Sequence, residues 1–341
     1  MRKLLVLLLV LSMVLFFIGL ADAQYDGRKI TIGYTPIAYD PTDLFGFAET
    51  SCKKYLDKAG INYKWILRPP SHYVAHEEQY DIVRNFITMG VDIVWLGPTA
   101  LDVQRPSIKL LAEANIPVII ITTLKPISER GQAPWPDDEL PVLTWTAEDH
   151  FKIGEMIAEW TINRLNGEGT MAIIYGPPGD PRTLGRGYLA KKIIEEKSNI
   201  KVVYEHHADF LEEKAFRATE HLLIAHPDID LIFGMSSDMG QGVISAVKIA
   251  GKLDQIDVIS VGGIHRELKA IIAGDQTMTV YRDPISIGRG AGEAIVLWLN
   301  GKEVPEAFSS DLHYLESVED IRKYVPEEYF DVDAYLAEQK G

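Results

Sequence analysis

Short apolar, β-branched runs recur along this chain, and between them apolar residues return every three or four positions. Those two periods predict strands at 29–34, 63–67, 92–96 and 118–122, with helices over 47–58, 77–89 and 106–114 between them. The regularity breaks over 124–143, which is rich in Pro, Gly and charge around Trp135 and reads as a crossover with a loop. A second alternation follows. It has helices at 151–165, 186–197, 213–225, 240–250, 267–273 and 287–300, and strands at 171–175, 201–206, 231–235, 257–261 and 277–282. Repeated strand–helix alternation implies parallel sheets covered by helices on both faces. Two such units make an α/β protein of two lobes around a cleft, and the absence of a low-complexity linker suits lobes joined by several short hinge strands.

The most informative segment is 225–252. A turn at His226-Pro227-Asp228 precedes a short buried strand, and the polar residues Ser236-Ser237-Asp238 stand where that strand gives way to a helix ending at Gly251. Ligands bind beyond the carboxyl ends of strands in open parallel sheets, and a Ser or Asp there can cap the helix and still face a cleft.

Composition narrows the class further. Arg2 and Lys3, an apolar run from Leu4 to Leu20, and Ala21-Asp22-Ala23 have the form of a secretory signal peptide cleaved after residue 23. An uncleaved anchor is the alternative. Cleavage implies export to a periplasm, and the rest of the chain has no further run long enough to span a bilayer. The single cysteine, Cys52, follows no lipobox and leaves stability to hydrophobic cores rather than to an internal disulfide. A net charge of −15 argues against nucleic acid as a partner.

The 225–252 segment closely resembles its counterpart in periplasmic sugar-binding proteins of the ribose-binding type, and the resemblance extends over most of the chain. It implies two Rossmann-like lobes joined by a multi-strand hinge, the type I periplasmic binding protein fold. Residues 25–124 plus 284–303 would form the N-terminal lobe and 125–282 the C-terminal lobe, with 304–341 packing back across the hinge.

The resemblance also implies a site. In the loop after the first strand, Asp40, Thr42 and Phe45 stand near the family's Asn and its second Phe, with Leu44 in place of the first; a helix cap with a core Phe45 is the alternative. Thr99 stands beside the position of a family Asp, here Ala100, and Thr122 and Thr123 end the next strand. Arg186, with Arg182 as a substitute, would supply the fork to sugar hydroxyls, and Phe210 would cover a ring face or join the core. Ser237 and Asp238 match the family's paired polar residues. Gly262 stands where ribose-type proteins carry an Asp, and Arg282 where they carry Gln. The autoinducer-2 receptor, a relative in the same superfamily, shares the glycines and an Arg at 282. Two arginine forks in one cleft would suit several oxygens or an anion.

Other signals carry little. His72 and His76 with Glu77 and Glu78 have metal-like spacing without a further ligand, and Gly288-x-Gly290-x-Gly292 lies inside a helix rather than after a strand. There is no HExxH, GxSxG or P-loop, so no catalytic role, cofactor or metal is expected. The expected protein is a monomer that captures a sugar or polyol and serves an ABC permease in the inner membrane. The second reading is a signal receptor presenting its ligand to a membrane sensor.

Overall fold

The computed structural model of the chain describes residues 25–72, 74–121 and 140–339. The expected signal peptide, Thr122, Thr123 and Trp135 lie outside them. Among the described residues no helix is long and apolar enough to cross a membrane.

Among the described residues, twelve strands form two six-stranded sheets. The first contains β1 (Ile30–Thr35), β2 (Tyr63–Leu67), β3 (Ile93–Leu96), β4 (Val118–Ile121), β5 (Thr144–Ala147) and β11 (Ala307–Ser309), in the order β11-β5-β4-β3-β1-β2. The second contains β6 (Thr170–Tyr175), β7 (Lys201–His207), β8 (Leu231–Gly234), β9 (Asp257–Gly262), β10 (Met278–Arg282) and β12 (Leu312–Leu315), in the order β12-β10-β9-β8-β6-β7. All neighbours are parallel except β12 against β10. Helices cover both faces, which is why β3, β4 and β8 read as unbroken apolar runs and are buried at every residue.

The first lobe carries α1 (Leu44–Lys58), α2 (His76–Thr88) and α3 (Leu101–Glu113), and receives α9 (Pro284–Leu299) from late in the chain. The second carries α4 (His150–Arg164), α5 (Leu189–Lys197), α6 (Glu212–Ala225), α7 (Ser237–Ile249) and α8 (His265–Ala273). The short α10 (Val318–Tyr324) and α11 (Val332–Glu338) pack with Tyr329 and Phe330 against Leu268, Ile271 and Tyr281 of that lobe.

The sheets move the lobe boundaries from those expected. Residues 144–147 were assigned to the C-terminal lobe but form β5 of the first sheet, and the chain after 304 adds one strand to each sheet. Among the described residues the chain crosses between the lobes three times, at 148–149, at 283 and at 310–311. The crossings are tied together: Ser310 N donates to Ala147 O at 2.9 Å, and Asp283 N to Asp311 O at 3.1 Å. Four residues, Thr-Trp-Thr-Ala, were too short a run beside a Pro- and Gly-rich segment to register as a strand, although all four are buried.

Each sheet reverses its winding once. In the first, β1 lies between β2 and β3; in the second, β6 lies between β7 and β8. The loops leaving β1, β6 and β8 therefore diverge at these switch points and leave a crevice at the strand ends. The glycine series in α9 has a packing role. A Cβ at Gly288 would lie 2.0 Å from Ala48 O of α1, and one at Gly292 would lie 2.8 Å from Cβ of Tyr55. The two helices approach this closely only because these positions are bare.

Gly288→Val should therefore force α1 and α9 apart and cost about 2–3 kcal/mol by overpacking. Urea unfolding would measure it; an unchanged midpoint would refute the close contact.

Candidate ligand-binding cleft

The loop after β1 is shaped by its polar residues. Asp40 Oδ1 accepts from Thr42 N at 2.8 Å and from Thr42 Oγ1 at 2.7 Å, a turn in which both residues are exposed. These bonds also hold the Asp40 carboxyl below its ordinary range. Asp43 has extended backbone, caps α1 and accepts from Leu44 N at 2.7 Å. Gly46 lies so close to Pro41 that a Cβ would sit 2.4 Å from its Cα. The tight turn directs Asp43, Leu44 and Phe45 into the crevice while Asp40 and Thr42 remain outside.

Opposite this loop, β6 leads into a π-helical turn at Thr183–Tyr188. Its glycines allow close approach: a Cβ at Gly185 would lie 2.7 Å from the His150 backbone, and one at Gly187 would lie 2.6 Å from Met235 Sδ. Arg186 is thereby held between them, only 2% exposed. Its Nη2 donates to Glu148 Oε1 at 2.9 Å and its Nη1 to Met235 O at 3.2 Å. Arg282, at the end of β10, donates from Nη1 to the same Glu148 oxygen at 2.7 Å.

Glu148 is itself 2% exposed and lies on the first crossing between lobes. One carboxylate thus joins two hinge segments to the π turn. Burial works to raise the Glu148 carboxyl, but the guanidinium charges of Arg282 and Arg186 outweigh it and hold the group at about 2. Burial and then the Arg282 charge draw the Arg186 guanidinium down to about 9, which leaves it cationic at neutral pH. Burial and Arg186 lower His150 to about 3, so its imidazole is neutral. Among the described residues, Glu148 Oε2 and the Nε of both arginines have no hydrogen-bond partner. All three residues line the cleft.

The remaining wall comes from the second lobe. Asp180 forks Arg182 at 2.8 and 2.6 Å, and the guanidinium lies 4.1 Å above the Phe210 ring. Phe210 takes a left-handed backbone (φ 61°) that lays its ring against Gly176. Ser236 caps α7, accepting from Met239 N at 3.3 Å. Ser237 Oγ donates to Glu267 Oε2 at 2.6 Å, and Asp238 accepts from Arg266 at 2.7 Å.

The structure brings Phe45, Arg186, Phe210, Ser237, Asp238 and Arg282 to one cavity of ≈ 100 Å³ between the lobes. Gly262 lies behind the wall. A Cβ there would stand 1.8 Å from Ser237 Oγ and 2.5 Å from Glu267 Oε2, so the position provides clearance and has no room for an Asp. Thr99 lines a smaller adjoining cavity of ≈ 30 Å³. Its hydroxyl bonds His76 Nδ1 at 2.8 Å, and its N–H donates to Gln79 Oε1 at 2.8 Å. His76 is accordingly half-buried and bonded rather than solvated, and no metal-holding cluster occurs among the described residues.

Sequence reasoning missed Glu148, Asp43 and Ile37. Glu148 stands between a buried strand and the α4 cap Asp149, a signal visible only once that strand is recognised. Its presence changes the expected chemistry. The two arginine forks are not both open to an anion, because each gives an N–H to a carboxylate already in the wall. Three arginines and three acids, Asp43, Glu148 and Asp238, line the cavity and balance in charge.

Removing the acid by Glu148→Ala would leave two buried guanidinium groups facing each other, at a cost of about 3–5 kcal/mol. Acid should act on the same group. Its folded value lies below the ordinary 4.5, so its contribution is present above that pH and is lost as pH falls toward 2. The lost stability should be roughly 3 kcal/mol. Urea unfolding between pH 5 and pH 3 would show a steep loss in the wild type, and an equal slope in Glu148→Ala would overturn the assignment.

Comparison with known proteins agrees with this architecture. A family described as periplasmic binding protein domain matches residues 32–303. The ribose import binding protein of Bacillus subtilis is 30% identical over 235 residues, 69% of this chain and 72% of that protein. The galactofuranose-binding protein of Escherichia coli is 24% identical over 266 residues, 76% of this chain and 79% of its own. Among solved structures, an ABC transporter solute binding protein from Bacillus halodurans with bound myo-inositol has a TM-score of 0.75 at 21% identity, covering 89% of this chain and 99% of that one. One from Actinobacillus succinogenes with bound D-allose has a TM-score of 0.74 at 21% identity, covering 86% and 100%. The match over most of the chain, on a fold of two parallel sheets flanked by helices, places this protein in the periplasmic binding protein family.

Proposed function

We propose that this protein captures a neutral monosaccharide or polyol between its lobes and delivers it to an ABC importer. The observation that carries the reading is the charge balance of the cleft. Paired charges present many donors and acceptors with no net field, which suits a ligand made of hydroxyl groups. An aromatic face at Phe210 suits the C–H face of a sugar ring. The relatives named for ribose and galactofuranose, and the neighbours holding myo-inositol and D-allose, point the same way. The receptor reading rests on Arg186, Arg282 and the glycines at 262 and 263, and relatives and neighbours named for import and ABC transport favour the importer instead.

The mechanism is binding with closure. Residues 43–45 approach from the first lobe and 182, 186, 210 and 236–238 from the second, so only a closed hinge lets both sets touch one ligand. The signal-peptide pattern at 1–23 supports export to the periplasm. There the closed monomer would present its joined surface to the permease.

A panel of D-ribose, D-allose, L-arabinose, D-fructose and myo-inositol, set against the sugar phosphates, tests this by thermal shift and calorimetry. At least one neutral member should raise the melting temperature, and the phosphates should not. Phe210→Ala should weaken that binding by about tenfold. Silence across the neutral panel, or preference for the phosphates, would refute the proposal.

A further inference from the structure

Beneath the cleft wall lies a second buried carboxylate, Glu267, fully screened from solvent. Five donors converge on it. Oε2 accepts from Ser237 Oγ at 2.6 Å, Gly263 N at 2.6 Å and Ile264 N at 3.0 Å. Oε1 accepts from Thr279 Oγ1 at 3.1 Å and from Ser260 Oγ. Ser260 Oγ in turn accepts from Gln276 Nε2 at 2.7 Å, which leaves its own proton for Glu267. Two of these donors to Oε2 are backbone N–H groups, which can only donate, so this oxygen serves as an acceptor toward Ser237.

That fixes the direction of the Ser237 bond. A hydroxyl has one proton and two lone pairs. Ser237 gives its proton inward to Glu267, and its oxygen lines the cleft. We infer that Glu267 is a positioning residue that makes Ser237 a pure hydrogen-bond acceptor toward the ligand, so that the ligand must offer a hydroxyl proton there. The inference rests on the sugar-capture reading and sharpens it. Ser236, the next residue, differs: its oxygen accepts from Met239 N, and its proton stays available to the cleft. The two serines thus form an ordered donor–acceptor pair. A ring oxygen, an ether or a phosphate oxygen cannot satisfy Ser237, because none carries a proton to give. Gly262 is part of the device, since any side chain there would displace the Ser237–Glu267 bond.

The test has two arms. The first uses whichever of D-ribose, D-allose and L-arabinose binds, together with its singly deoxygenated and singly deoxyfluorinated analogues, titrated into wild-type and Ser237→Ala protein. At one ring position, deoxygenation should weaken wild-type binding by about tenfold and leave Ser237→Ala nearly indifferent. Fluorine accepts but does not donate, so the fluoro analogue at that position should be as weak as the deoxy one. A fluoro analogue within about threefold of the parent sugar would overturn the inference, as would the absence of any position coupled to Ser237. The second arm needs no ligand. The infrared difference between Ser237→Ala and wild type should show a side-chain carboxyl band shifting as one hydrogen bond is lost; no change would overturn it. If no neutral sugar binds, the capture reading fails by itself and this second arm still tests the Ser237–Glu267 bond.

Discussion

Glu148 stands at the one point where the first crossing segment, the end of β10 in the second sheet and the π turn of the second lobe come within reach of each other. Each arrives with a charge: the carboxylate from the first, guanidinium groups from the other two. Separating them would leave buried ions in a medium that cannot solvate them, a penalty several times that of losing an exposed ion pair. The arrangement of hinge and pocket depends on this contact. It fixes the place at which Arg186 and Arg282 enter the cleft, and it joins the pivot of the lobes to the wall a ligand would touch. The glycines on either side of Arg186 serve the same end, since a side chain at 185 would press against the His150 backbone beside the acid.

The two lobes were legible in the sequence because parallel strands buried on both faces leave an unmistakable mark. Ile119-Ile120-Ile121 and Leu231-Ile232-Phe233 hardly permit another reading. What the sequence concealed was short or non-local. The strand at 144–147 has too few residues to show a period, and with it went the lobe boundary and the acid that follows. The strands at 307–309 and 312–315 are likewise too short, and they form only because the crossing segments deliver them to sheet edges. A pattern along the chain reports burial; it does not report which distant residue completes a site.

The candidate site was legible in the same uneven way. Residues that end a strand or open a helix, such as Ser237, Asp238, Arg186 and Phe210, lie where switch-point geometry puts ligand-facing groups. Asp40 and Thr42 are also at a strand end, yet they bond to each other and leave the cleft to Asp43 and Phe45. Short polar side chains in a loop can satisfy their own backbone as readily as a ligand, and sequence alone does not separate the two outcomes.

Gly262 illustrates how a lost group can leave its chemistry in place. Reading the chain against ribose-type proteins, a glycine there looks like a deleted carboxylate. In the folded protein a carboxylate does stand behind that wall, carried by Glu267 from the first turn of the next helix. The two cannot coexist, since a Cβ at 262 would overlap both Ser237 and the Glu267 oxygen. An Asp at the strand end would face a ligand directly and accept from it with full charge. Glu267 sits one layer deeper, shielded from solvent, and acts on the cleft only through the proton it takes from Ser237. The carboxyl group is then held by its own five partners, and the group it turns toward the ligand is a neutral hydroxyl. A direct carboxylate binds any suitably placed donor strongly, whereas a neutral hydroxyl of fixed polarity discriminates by geometry at a smaller gain per bond. Glu267 thus acts on the cleft through the group it orients, while Glu148 both lines the cavity and orients Arg186 and Arg282.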